Sequence, residues 1–244
     1  MKLINGDCLV EMRNIPDASV DMVITSPPYN VGVDYDGYND NMDYNDYTSW
    51  LAMVFGEFYR ILKKDGRACI NIGDGKNGSV PTHSDIIQIC MSIGFNIMTT
   101  IIWNKNTTSK RSAWGSFMSP SCPSFPRNFE YILVFSKSKK LIRKGEPSIT
   151  KKNFIDWSNG LWTFAPEKNI KSHPAPFPIE LPRRCIEMLT YKKDLILDPF
   201  MGSGTVGVAC ERLDRDFIGI EISKEYYEIA KYRIGLEQAQ MKLF

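Results

Sequence analysis

Apolar residues in this chain gather into short runs, and between the runs they recur every three or four positions. The runs at 20–25, 68–72, 131–136 and 195–198 predict strands buried on both faces, since a strand with one wet face alternates apolar and polar residues. A shorter run, 217–221, ends on an acid, Glu221. Trp50, Leu51, Val54, Phe55, Phe58, Ile61 and Leu62 share one face of a helix, and Gly66 is expected to terminate it. Residues 84–94 repeat that design, with Ser84 or Asp85 as N-cap and Gly94 as stop, and 181–189 and 223–234 predict two more helices. Strands that alternate with helices imply an α/β fold, a mostly parallel sheet with helices on both faces.

Two stretches break the alternation. Residues 104–128 are rich in Ser, Thr, Pro and aromatic side chains, and 139–172 are basic, aromatic and without a clear period. Long irregular stretches in a compact domain are usually functional loops or recognition inserts, so the 244 residues read as one domain carrying two of them. A third segment, 34–47, sets Asp34, Asp36, Asp40, Asp43 and Asp46 among Tyr35, Tyr38, Tyr44 and Tyr47. A mobile flap near the active site and a static packed loop are equally good readings of it.

Composition narrows the classes. Hydrophobic residues make up 43% and charged ones 24%, as in ordinary globular proteins. No apolar run approaches the roughly 18 residues that span a bilayer, and MKLINGDCLVEM lacks the basic-then-apolar layout of a signal peptide, so a cytoplasmic location is expected. The six cysteines form no CxxC pair and read as reduced core thiols; with only His83 and His173 as imidazoles, no metal centre is expected. A net charge of +2 does not announce a nucleic-acid partner. Its distribution says more: Lys137, Lys139, Lys140, Arg143, Lys144, Lys151 and Lys152 face the single acid Glu146 within 137–152, a stretch that could neutralise phosphates or simply be a solvated loop.

Two motifs carry chemistry. ITSPPYN, residues 24–30, follows the strand at 20–25 directly; consecutive prolines continue neither strand nor helix, so the chain must turn there and expose Ser26 and Tyr29. That carboxyl end is where open parallel sheets bind ligands, although an ordinary Pro-Pro loop remains the plain alternative. DPFMGSGT, residues 198–205, follows another short strand and opens a helix. Gly202, Gly204 and Gly207 also satisfy GxGxxG, which alone would suggest a nicotinamide dinucleotide. Asp198, Pro199, Phe200 and Met201 stand between strand and glycines, however, and a carboxylate with an aromatic beside it suits a cationic, zwitterionic ligand better than a pyrophosphate. Glu221 is well placed to accept hydrogen bonds from ribose hydroxyls, or to cap the helix after Ser223.

SPPY with DPFMGSGT resembles the amino-group DNA methyltransferases, and the order, SPPY first and glycine turn last, is similar to their beta-type, circularly permuted members. The likeness extends to NGDC (residues 5–8), HPAPFPIELPRR (173–184) and the strand ending in Glu221. It implies a Rossmann-like S-adenosylmethionine-dependent fold with a seven-stranded sheet, a single catalytic domain over 1–244, and inserts at 104–128 and 139–172 that recognise double-stranded DNA. By that resemblance Asp7 and Cys8 lie at the cofactor's adenine, with Asp7 on its amine. The turn from Asp198 through Pro199, Phe200, Met201, Gly202, Ser203, Gly204 and Thr205 would hold its methionine half, with Phe200 against the sulfonium. Glu221 would take the ribose, and His173, Pro174 and Phe177 would wall the site.

Ser26 Oγ and the Pro27 carbonyl would accept hydrogen bonds from the target amine, Pro28 would complete the turn, and Tyr29 would stack on a base swung out of the duplex. A serine before the prolines goes more often with cytosine N4 and an aspartate with adenine N6, so the resemblance leans to cytosine and leaves adenine as the alternative. Candidates for DNA contact are Lys110, Arg111, Trp114, Lys139, Lys140, Arg143 and Lys144, with Phe117, Phe125 and Trp157 as further aromatics that wedge or pack locally. A homodimer and a partner restriction endonuclease accompany similar enzymes. Competing readings are methylation of RNA or protein glutamine, whose enzymes carry the glycine turn first, a nicotinamide dehydrogenase, and a catalytically silent nucleic-acid-binding module.

Overall fold

The structure, a computed structural model, describes residues 1–32, 34–35, 38–75, 78–106, 115–125, 127–140, 143–167 and 178–241. Each apolar run becomes a strand or lies within one. The chain runs β1 (Lys2–Asn5), α1 (Cys8–Met12), β2 (Val20–Thr25), β3 (Asp34–Tyr35), β4 (Tyr38–Asn39), α2 (Tyr44–Ile61), β5 (Leu62–Ile72), α3 (Thr82–Ile93), β6 (Asn96–Asn104) and β7 (Phe129–Ser136). It continues through α4 (Lys151–Trp157), β8 (Leu161–Thr163), α5 (Glu180–Leu189), β9 (Leu195–Asp198), α6 (Thr205–Arg212), β10 (Asp216–Glu221) and α7 (Lys224–Met241).

Among the described residues the main sheet has eight strands in the order β1-β10-β9-β2-β5-β7-β6-β8, the seven expected plus the three-residue edge strand β8. Only β7 runs against the others: it is antiparallel to β5 and to β6, and every other neighbouring pair is parallel. All six residues of β2 are buried, as a central strand covered on both faces requires. One core collects apolar residues of α1, α2 and α3, and the opposite face of the sheet collects those of α5, α6 and α7. From the centre the chain builds outward through β5 on one side and through β9 and β10 on the other, so the order reverses between β2 and β9. Such a reversal opens a crevice at the carboxyl ends of the two strands.

Several local expectations change. Gly66 does not end α2: the helix stops at Ile61, Leu62 is already extended, and Gly66 lies inside β5. It serves a bulge instead, because the pairing jumps from Val20↔Leu62 to Met22↔Arg67, and a Cβ at Gly66 would sit 2.9 Å from the Lys63 carbonyl oxygen. Helix α3 begins at Thr82 after Pro81, without a side-chain cap, so neither Ser84 nor Asp85 is its N-cap. Gly94 does stop it, at φ 118°. The stretch 139–172 is less irregular than its composition suggests, since it contains α4, capped by the Thr150 hydroxyl, and β8. Among the described residues no helix is long and apolar enough to cross a membrane.

Candidate active site

Strands β2 and β9 pair in parallel through Met22↔Ile196 and Val23↔Leu197, so the turns that follow them emerge side by side on one edge. A hydrogen bond ties the two: Thr25 Oγ1 donates to Asp198 Oδ1 at 2.8 Å, both residues being buried. The opposite ends are tied as well, where the Leu195 amide donates to Asp21 Oδ2 at 2.9 Å.

The first turn is held from behind by the acidic loop. Tyr47, fully buried, donates its hydroxyl to the Pro28 carbonyl at 2.7 Å. Asn30 stands in the left-handed region at φ 55°, and its amide and that of Val31 donate to the two Asp40 carboxylate oxygens at 2.8 and 3.1 Å. Asn30 and Met42 exchange a reciprocal pair of bonds at 2.9 and 2.7 Å, and Asp43 caps α2. From Asp40 onward, then, the acidic loop packs as a brace against the turn.

On the open side of that turn lies a polar chain. Ser26 Oγ donates to the Tyr29 hydroxyl at 3.1 Å, which donates to Glu130 Oε2 at 3.1 Å. Asn71 Nδ2 reaches both, at 2.8 Å to Tyr29 and 2.7 Å to Glu130, and Lys105 pairs with the other Glu130 oxygen. These partners converge because β5 and β6 end at this edge and antiparallel β7 begins there. A cavity of about 470 Å³ opens beside the chain, with Tyr29, Asn30, Gly73, Lys105, Arg127 and Glu130 among its walls. Motif reading missed Asn71, Glu130, Lys105 and Thr25. Their common signal was a polar residue inside or beside an apolar run, as in ACINI and FEYILVF.

The second turn is built on glycines and acids. Asp198 accepts from Thr25 and, at 3.1 Å, from the Phe200 amide; burial pushes its carboxyl up to about 7 despite these bonds, and nearby Glu221 adds to the rise. Gly202 and Gly204 adopt φ 50° and 82°, a backbone that side chains disfavour. The Gly202 amide donates to Glu221 Oε2 at 2.7 Å and the Ser223 amide to Oε1 at 2.9 Å, so Glu221 braces the glycine turn and the start of α7 together. Burial raises its pKa above the usual carboxylate value. Pro199, Met201, Ser203 and Thr205 are buried, and Ser203 is held by Arg233 through its hydroxyl at 2.7 Å. Phe200 is half-buried with its ring 5.6 Å from Trp50, a contact that crosses from one turn's flank to the other.

Asp7 stands just beyond Asn5, the β1 partner of Glu221, and is exposed while its Oδ1 caps α1 at 2.9 Å from the Leu9 amide. Cys8 is a core thiol that burial pushes up to about 12. Asp7, Asp198 and Glu221 therefore follow or close three adjacent strands beside a half-buried ring. That donor set fits the S-adenosylmethionine implied by the motifs: carboxylates with lone pairs to spare for hydroxyls and an ammonium, and an aromatic face for a cation.

The basic stretch sits elsewhere. Because β7 is antiparallel, its end at Ser136, paired with Arg67, lies at the edge opposite the two turns, and Lys139, Lys140 and Lys144 are exposed there. Arg143 is committed to the protein itself, bridging Asp21 at 2.9 Å and Asp194 against the Tyr191 ring. These four residues, expected on DNA, thus stand at the edge away from the two turns. Trp157 is buried beneath Arg183 and Arg184, so it packs locally and does not wedge. The 104–128 insert does leave and rejoin the sheet at the site's own edge, since Asn104 pairs with Phe129, and within it Phe117 and Phe125 are 67% and 78% exposed. Lys110, Arg111, Trp114, His173, Pro174 and Phe177 lie outside the described residues.

Comparison with known proteins accords with this geometry. The sequence matches the N6/N4 family of DNA methylases over residues 20–232. Type II methyltransferase M.MjaVI of Methanocaldococcus jannaschii is 46% identical over 168 residues, covering 68% of this chain and 86% of that protein. Protein TTHA0409 of Thermus thermophilus, solved in complex with S-adenosyl-L-methionine, superposes with a TM-score of 0.78 at 30% identity over 97% of this chain and 93% of its own. The cytosine-N4-specific PvuII DNA methyltransferase superposes with a TM-score of 0.74 at 25% identity, over 95% and 85%. By match, identity and fold together, the chain belongs to the N6/N4 DNA methylases, enzymes that move a methyl group from S-adenosylmethionine to the amino nitrogen of cytosine or adenine in DNA.

Proposed function

We propose that the protein methylates cytosine N4 at a specific site in double-stranded DNA, with the target base swung in beside Ser26 by way of the cavity that Tyr29 and Glu130 line. The observation that carries this reading is the Thr25 to Asp198 bond between paired strands, which keeps the acceptor turn and the cofactor turn on one edge. Transfer needs the two reacting atoms within about 3 to 3.5 Å, and neighbouring strand ends meet that demand whatever their order in the chain.

S-adenosylmethionine supplies a methyl group already activated on a sulfonium. Phe200 would face that cation, the backbone of Gly202 to Gly204 with Asp198 would hold the methionine half, and Glu221 and Asp7 would take the ribose and the adenine amine. The target nitrogen is a poor nucleophile because its lone pair is delocalised into the ring. Hydrogen bonds accepted from its two hydrogens by Ser26 Oγ and the Pro27 carbonyl draw it toward tetrahedral geometry and localise the lone pair. Tyr29 stacks on the base, which offsets part of the few kcal/mol that unstacking costs.

Ser26 is the ground for cytosine: its hydroxyl stands where adenine-specific relatives more often have a carboxylate. The chain reads as one catalytic domain. DNA approaches the edge shared by the two turns, and the 104–128 segment, with Phe117 and Phe125, reads the sequence there. If the type II designation of M.MjaVI extends to this chain, a restriction endonuclease of the same specificity is its cellular counterpart.

Expression in a host lacking DNA methylation, followed by nucleoside mass spectrometry and single-molecule sequencing of its DNA, tests base, position and motif together. N4-methylcytosine at one recurring sequence is expected, absent with Ser26→Ala. N6-methyladenine alone would transfer the assignment to adenine.

A further inference from the structure

We infer that Glu130 is a positioning residue that, through Tyr29, orients Ser26 so that its lone pairs face the target amine. The inference rests on the role just proposed for Ser26. A hydroxyl can donate or accept, and only one choice serves the reaction: the amino group brings hydrogens, so Ser26 must present an acceptor. Nothing in a serine alone enforces that choice.

The geometry around Tyr29 enforces it. A carboxylate accepts and does not donate, so at 3.1 Å from Glu130 Oε2 the Tyr29 hydroxyl must spend its one proton on Glu130. With that proton committed, the Tyr29 oxygen can only accept from its other neighbours. Asn71 Nδ2 supplies one hydrogen at 2.8 Å, and the same nitrogen lies 2.7 Å from Glu130, where an amide oxygen would be repelled. Ser26 Oγ, 3.1 Å from the Tyr29 oxygen, supplies the other, and its proton is thereby turned away from the substrate. The lone pairs that remain on Ser26 are the ones the amine needs.

Lys105 holds the far oxygen of Glu130, and its ammonium is seated over the Trp103 ring at 5.2 Å, which fixes the origin of the chain. Every link therefore donates in one direction, from Ser26 to Tyr29 to Glu130. An aspartate in place of Ser26 carries no proton at neutral pH and would need no such direction. The device is thus specific to a serine at this position.

A mutant cycle measures it. In Glu130→Gln the side-chain amide can donate, the direction is no longer imposed, and single-turnover methyl transfer is expected to fall about tenfold, the size of one well-oriented hydrogen bond, with binding of S-adenosylmethionine and KM for DNA unchanged. Tyr29→Phe removes the middle link, so in that background Glu130→Gln should change the rate by less than twofold; Ser26→Asp should abolish the effect in the same way. Should Glu130→Gln fail to fold, Tyr29→Phe compared in Ser26 and Ser26→Asp backgrounds carries the test, with the rate loss expected only beside serine. Full activity of Glu130→Gln, or equal losses in all backgrounds, overturns the inference while leaving the methyltransferase reading intact. A wild-type protein that leaves DNA unmodified overturns both.

Discussion

Asp198 is a carboxyl whose setting works against its charge. Burial lifts it from 3.8 to about 7, so the unfolded chain ionises it before the folded chain does. Below about 4 both states are protonated and the contribution to stability is fully present; as pH rises toward 7 it is progressively lost. Calorimetry should show the wild type losing on the order of a few kcal/mol against Asp198→Asn between those limits, and parallel melting curves would show that the carboxyl does not titrate there. A cationic ligand favours the ionised form, so affinity for S-adenosylmethionine should rise as pH climbs toward 7 and level off above it. Asp198→Asn should bind with no such slope in titration calorimetry. Ser26, Tyr29, Asp198 and Glu221 were legible in the sequence because prolines, glycines and strand ends punctuate them. Asn71 and Glu130 were not, since a single polar residue in an apolar run has no partner until the sheet brings one.

Among the elements, α6 shows how closely the glycine turn is fitted. A Cβ on Gly204 would lie 2.9 Å from Ala230 Cβ on α7, at a φ of 82° where a side chain is already strained. Gly204→Ala should cost about 2 kcal/mol and lower Tm by roughly 4–8 °C. An unchanged Tm would mean that α7 can recede freely. The acid loop offers a second case: Asp40→Ala strips the acceptors from the amides of Asn30 and Val31, and methyl transfer should fall at least tenfold while Tm drops by only a few degrees. A purely structural loop would lose stability and rate together. Strands β2 and β9 were read to the residue, as mainly apolar runs ended by proline-bearing turns. β1 and β8 were missed because strands of four and three residues at a sheet edge bury too little to leave a pattern. β6 was missed because its first half is exposed or half-exposed.

For the whole molecule, the fold class followed from alternation alone, and the neighbouring of the two turns followed from their likeness to a family, not from any spacing in the chain. Charge could not place the basic stretch, because a basic run along the chain carries no information about which edge of a sheet it will meet. If DNA docks on the edge of the two turns, replacing Lys139, Lys140 and Lys144 together by alanine should change the slope of log Kd against log salt by less than one, whereas three lost phosphate contacts would change it by roughly three. A fall of that size would place the duplex across the far edge.

One property of the β2/β9 seam reaches beyond this chain. Its bonds, Leu195 to Asp21 at one end and Thr25 to Asp198 at the other, join segments that no short connection links, while α7 rests against β1. A gene reopened between Thr163 and Glu180, with a short linker from α7 to β1, would encode the glycine segment ahead of the proline one. It should still fold and methylate, because the seam is indifferent to where synthesis starts.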